Sequence, residues 1–371
     1  MIDPDGGAAL YWYDAANRMT NVVSPDAKAT YYAYDASGLM TRRLLGNLSA
    51  SYFVYDTAGR LTELKNVDSD GSPLSYFTYG RLPGGNIAKI LREGGNAVYY
   101  EYDDADKLVK ETWRDSGHAQ VYCFAYDYDA AGNRVAEDKD GVPTYYHYDA
   151  ANQLTNKWIG GGEATYYAYD ENGSLVTEYA QSADEATYYE YNDNGLTSKI
   201  IPPAGDPTEF YYDGRMQRFA ASFAGTVAYF GWDGMNQLVE KDSSLSTVAQ
   251  HTHGATPIQG IGSVIVTKRS AEYQYPHYDH RGSLFVLEDT GTTDLEAEYN
   301  AFGEELQRSG AAVSRFGYQG TAWMRLDSGL YVSPTQFYDP GPGRFIQENP
   351  WPCVRLCFWA SRGNTLGGWA A

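Results

Sequence analysis

Apolar and polar residues alternate along most of this chain in short runs, and a turn signal closes each run. The stretch Tyr167-Ala168-Tyr169-Asp170-Glu171-Asn172-Gly173-Ser174-Leu175 shows the unit. Tyr167 and Tyr169 stand two residues apart, so a pleated strand carries both rings on one face. Asp170 and Gly173 take the first and last positions of a four-residue turn. There an aspartate bonds the backbone ahead of it and a glycine accepts φ > 0. Leu175 and Thr177 open a return strand with the same two-residue period. The pattern predicts hairpins, and long helical apolar spacing is missing.

The unit recurs. Tyr13-Asp14, Asp35 with Gly38 and Asp56 with Gly59 begin the series. Asp103, Asp129 with Gly132, Asp149, Asp170, Asn192, Asp213, Asp233, Asp279 with Gly282, and Asn300 continue it. The interval is about 21 residues, and two intervals are near twice that, as if one degenerate copy lay in each. Gly80 fills the first long interval, and His253-Gly254 lies near the second. Tyr-Tyr-x-Tyr precedes Asp103, Asp149, Asp170 and Asn192. A fixed period of this size marks a repeat architecture whose neighbouring units bury each other's faces. The expected fold is therefore all-β, a ribbon of successive hairpins. The repeats span 1–241, an irregular degenerate copy spans 242–270, a segment of different character spans 271–350, and a divergent tail spans 351–371. Well-kept copies from the first residues, with no polar cap before them, read as part of something longer.

Composition agrees with strands and turns: 35 Tyr and 39 Gly. Tyrosine suits a wall with one dry and one wet side. The net charge of -20 argues against nucleic acid and against anionic membranes as partners. Cys123, Cys353 and Cys357 form no even framework. No apolar run reaches membrane-spanning length, and Met1-Ile2-Asp3-Pro4-Asp5 is not a signal-peptide start.

Candidate chemistry is sparse. Asn66-Val67-Asp68-Ser69-Asp70-Gly71 resembles the opening of a calcium loop, but Phe77 stands where that loop needs glutamate, so a hairpin tip is the better reading. His251 and His253 could share a strand face, yet no third metal ligand is spaced to join them. Metal and cofactor sites are therefore expected to be none. The loop Pro202-Pro203-Ala204-Gly205-Asp206-Pro207 is expected to cross a sheet edge.

The segment 271–350 contains Tyr278-Asp279-His280-Arg281-Gly282-Ser283, then Tyr299-Asn300-Ala301-Phe302-Gly303, then Tyr338-Asp339-Pro340-Gly341-Pro342-Gly343-Arg344-Phe345. With the Tyr-Asp repeats before it, this ordered set resembles the bacterial RHS (rearrangement hotspot) and YD-repeat proteins, including the RHS repeat-associated core region. The resemblance implies a β-ribbon wound into a hollow or partial shell. In the family, such a shell encloses or presents a C-terminal polypeptide, commonly a toxin. Insecticidal toxin complexes, bacterial polymorphic toxins and teneurin adhesion proteins use it in different ways. It also implies a secreted or cell-surface location. Winding the ribbon would also remove most of its open edges.

The departures bear on catalysis. The family's self-cleaving aspartates belong to two Asp-Pro-x-Gly segments. Here Asn349 stands in the first aspartate's place, the second segment is absent, and a neutral amide is no general acid or base. After Pro350 the sequence leaves the family pattern, as a frameshifted or decayed end would, and residues 351–371 leave no room for a toxin domain. The expected function is a non-catalytic structural shell protein without its toxin. The alternative is a cell-surface module binding carbohydrate or protein. The structural motif residues are Tyr13, Asp14, Asp35, Gly38, Asp56, Gly59, Asp129, Gly132, Asp149, Tyr169, Asp170, Gly173, Asp279, Gly282, Tyr338, Asp339, Pro340, Gly343, Arg344 and Phe345. Arg344 is expected to anchor the core segment on carbonyls or carboxylates.

Overall fold

The computed structural model describes residues 1–256, 263–288, 293–312, 314–326, 328–333 and 335–347. Asn349, Cys353, Cys357 and the tail 351–371 lie outside the described residues. The chain is all-β, with a single 3-10 turn at Glu93–Gly95 among the described residues. Twenty-eight strands, from Leu10–Tyr13 to Glu305–Gly310, form one antiparallel sheet. Each pairs with its neighbours in sequence, so the sheet is a meander. It is not closed: the described pairings give Leu10–Tyr13 and Glu305–Gly310 one neighbour each. Five short strands from Phe316–Gly317 to Arg344–Phe345 make a second sheet.

Alternation decides which face each ring takes. In Ala29–Tyr34, Tyr32 is buried, Tyr31 is 49% exposed and Tyr34 is half-buried. Tyr166, Tyr167 and Tyr169 repeat the order. The hairpins turn on two rims. The Tyr-Asp turns lie on one, and turns such as Ser24–Lys28, Leu45–Ser49 and Asp68–Ser72 lie on the other. Asp68–Ser72 is a hairpin tip between Leu61–Val67 and Pro73–Arg81. The degenerate copies keep the topology. A turn at Leu82–Asn86 follows Gly80, and Thr247–Gly254 pairs with Ser263–Arg269. Residues 202–207 do not cross an edge. They join Thr197–Ile201 to Thr208–Tyr212, which pair with each other, so the prolines sit in a hairpin loop where no ladder bond is needed.

The ribbon curves back on itself. Asp5 reaches Lys241 and Thr247, and Asp3 reaches Gln250, so residues 1–9 meet the strands after residue 230 through side chains. From there the chain runs along the buried face of its own earlier strands. One core joins Val22, Leu64, Phe77 and Tyr126 of the early arc to Ile265, Tyr275 and Phe302. A second joins Tyr146, Tyr167, Tyr189 and Phe210 to Met324, Phe337 and Ile346.

Candidate functional site: the Tyr-Asp unit and the seam it frames

The turn is built by one carboxylate. Asp170 Oδ1 accepts the backbone N–H groups of Asn172 (2.9 Å) and Ser174 (2.8 Å), while the Asp170 carbonyl receives Gly173 N–H. Asp14, Asp35, Asp56, Asp149 and Asp279 make the same pair of bonds, and Asp129 makes the second of them, to Asn133. The fourth residue is left-handed throughout: Asn17, Gly38, Gly59, Gly132, Asn152, Gly173 and Gly282 all have positive φ. A register shift at each Tyr-Asp end completes a type I turn with a bulge. Asp233 differs. It pairs with Asn236 across a tight two-residue turn with Gly234 at φ 57°.

The tyrosine before many of these turns locks one hairpin to the previous one. Tyr34 Oη donates to the carbonyl of Met19, Tyr55 to Met40, Tyr102 to Ile87, Tyr191 to Leu175 and Tyr212 to Thr197. Each acceptor begins the neighbouring return strand or lies at its start. Burial of these rings pushes the hydroxyls up, Tyr55 and Tyr212 to about 12, so they remain donors at neutral pH. Tyr169 is shifted likewise, and Tyr13 is exposed.

Two features hold the later segments against the arc. Glu111, fully buried, accepts Trp113 Nε1–H (2.7 Å) on one oxygen and Ala301 N–H (2.8 Å) on the other. Burial pushes its carboxyl up to about 7, although those bonds and Arg281 pull the other way. Arg134, also buried, meets Glu137 at 2.9 Å, donates to the Gly341 carbonyl and lies against the rings of Tyr146 and Phe302. Arg344 donates to the Asn152 carbonyl (2.5 Å) and Asn133 Oδ1 (3.3 Å), and stacks on Tyr148. Its partners are thus carbonyl oxygens of two Tyr-Asp turns. Asp339 Oδ1 accepts Gly341 N–H beside Pro340, and burial together with Glu178 pushes its carboxyl up against the pull of Lys157. Tyr338 Oη donates to the Phe302 carbonyl and packs edge-on against Phe345. A Cβ on Gly343 would meet Phe302 at 2.9 Å, so glycine lets this turn approach.

Buried arginines are the residues that the repeat pattern did not single out. The position five residues after the turn aspartate is normally apolar and faces the core, as in Met40, Leu108, Leu154 and Leu175. Arg134 and Arg218 occupy it after Asp129 and Asp213. They reach the carbonyls of Gly341 and Ser333. A charge in an otherwise apolar column is the signal that marks them. His251 and His253 do not converge. A register shift separates them, His251 faces Thr267 and His253 faces the Gln237 carbonyl. Among the described residues, no group of three or more His, Cys, Asp and Glu is arranged to hold a metal.

The arrangement is a wall of interlocked turns with a segment seated on its inner face. Residues 84–355 match the family model for the teneurin YD-shell. The chain belongs to that family. As a YD-shell protein it is 26% identical over 266 residues to the tRNA nuclease WapA of Bacillus subtilis, covering 68% of this chain and 10% of that relative. It is 23% identical over 311 residues to double-stranded DNA deaminase toxin A of Burkholderia cenocepacia, covering 76% of this chain and 21% of that relative. The YD-shell chain thus spans from a tenth to about a fifth of these relatives' lengths. The TcdB2-TccC3 crystal structure shares its fold, with a TM-score of 0.52 at 13% identity over 96% of this chain and 23% of that one.

Proposed function

We propose that this chain is a non-catalytic part of a YD-repeat shell that encloses or presents a polypeptide cargo, in a protein that is secreted or displayed at a cell surface. The observation that supports it most is the inner seam: the arc offers an aromatic face, and later segments of the chain lie along it, held by Glu111 and Arg134 of the arc and by Arg344 of the seated segment. Backbone carbonyls and N–H groups are what those residues grip, so the surface suits polypeptide. Nuclease and deaminase toxins among the relatives fit a shell that accompanies a toxin. None of the described residues forms a separate domain that would be the cargo itself. A reporter polypeptide fused after residue 371 tests the reading. It should resist protease far longer than the free reporter, and equal cleavage rates would sink the proposal.

A second reading rests on the outer face. Tyr31, Tyr166 and Tyr188 are each near half exposed and repeat from hairpin to hairpin, as a surface that stacks on carbohydrate or protein would. A glycan screen with parent and Tyr166→Ala, Tyr188→Ala protein separates it: binding lost with those rings supports it, and no binding removes it.

A further inference from the structure

Four of the six histidines fall between residues 251 and 280, and their rings lie inside the protein, not on its outer wall. They belong to the strands Thr247–Gly254 and Glu272–Tyr278 and to the turn that follows. The other two, His118 and His147, are exposed on the arc.

His277 is fully buried, with Nε2 3.2 Å from Ser49 Oγ of the arc and 3.3 Å from Glu288 Oε2 of the next strand. Its Nδ1 and Glu288 Oε1 find no partner among the described residues. His280 packs on the ring of Tyr79, 4.9 Å between centroids, and joins the same arc at a second point. His251 lies between Thr267 and the Phe316 ring, in a pocket shared with Glu240, Arg269 and Arg315. Two of these three rings thus touch the arc directly, beside the apolar contacts of Ile265 and Tyr275. Protonation would place a cation where water cannot follow.

We propose that acid releases this one segment: protonation of His251, His277 and His280 unseats the strands from Thr247 to Glu288 while the Tyr-Asp arc stays assembled. The surrounding charges favour that order. At His251 burial comes first, and His253, Arg269 and Arg315 add to it, while Glu240 is already held by both arginines. At His277 burial and Arg43 outweigh the opposing pull of Glu288. At His280 burial, Arg281 and Arg81 outweigh Asp279 and hold the ring at about 4. A histidine that is neutral when seated and protonated when released loses its seat as pH falls below about 6.5. The other seam has the opposite sign. Glu111 and Asp339 are pushed up by burial, so their protonation as pH falls favours the folded state there. The turn carboxylates Asp14 and Asp56 are held low by their backbone bonds and Arg18 or Arg60, so the arc survives it.

Hydrogen exchange on the full chain between pH 7.5 and 4.5, corrected for intrinsic rates, tests this. Opening of Ser263–Arg269 and Glu272–Tyr278 should rise between about tenfold and a thousandfold per pH unit, for one to three histidines, with Ala164–Tyr169 and Glu185–Tyr191 unchanged. A flat profile in the inner strands, or parallel loss in the arc, would overturn the proposal. His280→Gln should shallow the slope and His118→Gln should leave it alone. If His280→Gln does not fold, the parent's own strand-by-strand profile still decides.

Discussion

At the residue scale the molecule repeats one short-range bond. An aspartate oxygen that accepts two N–H groups closes most of the Tyr-Asp turns, and every partner lies within four residues. Chemistry this local is legible in sequence, and so were the period and most of the turns. Asn192 performs the same task, accepting Asn194 and Leu196 N–H groups, because an amide oxygen serves as well as a carboxylate there. Asp170→Asn should therefore leave stability nearly unchanged, and Asp170→Ala should cost about 1–2 kcal/mol in urea unfolding. Met216 is the exception in the series, a bulky residue at φ 63° where the other units place glycine, asparagine or aspartate. Met216→Gly should raise the unfolding midpoint, with a gain on the order of 1 kcal/mol.

At the element scale the hairpins join by tyrosine hydroxyls and the later strands seat by buried charge. The first joint is readable as Tyr two or three times before each turn. The second is not, because Ala301 meets Glu111 across 190 residues and nothing local states that register. Arg134 and Arg218 stand as charges in an apolar column, a signal the repeat pattern alone passes over, and nothing local states their acceptors. Arg134→Ala strands Glu137 in a dry site, and a loss of about 3–5 kcal/mol is expected. Replacing both, Arg134→Met with Glu137→Leu, should recover most of it, and a double-mutant cycle in denaturant measures the difference. Glu111 sets a pH dependence. Its folded carboxyl titrates near 7 against 4.5 for the ordinary group, so its contribution is complete below about 4.5 and is lost as pH rises through about 7. The loss is on the order of 3 kcal/mol, and Glu111→Gln should flatten that part of the stability profile, at the cost of one of its two accepted bonds.

At the scale of the whole molecule, strand pairing among the described residues is sequential within each of the two sheets, while the arc closes on residues 1–9 through side chains such as Asp5 and Lys241. An all-β ribbon was legible because every strand answers its neighbour. How far the ribbon curls, and that its later part lies on its own inner face, depends on the long-range seams and had to be seen. A sequential meander also responds to force in its own way. Pulled from its two ends, the molecule should first shed the segments seated on the inner face, in steps governed by Arg134 and Arg344. It should then pay out the arc as a series of similar small extensions, each about one hairpin long. Optical-tweezers traces should show a few early irregular steps followed by a regular staircase, whereas a single cooperative rip would mean that the seams bind the arc as one body. A chain built this way is a zipper with later teeth folded inside, and it should come apart one hairpin at a time.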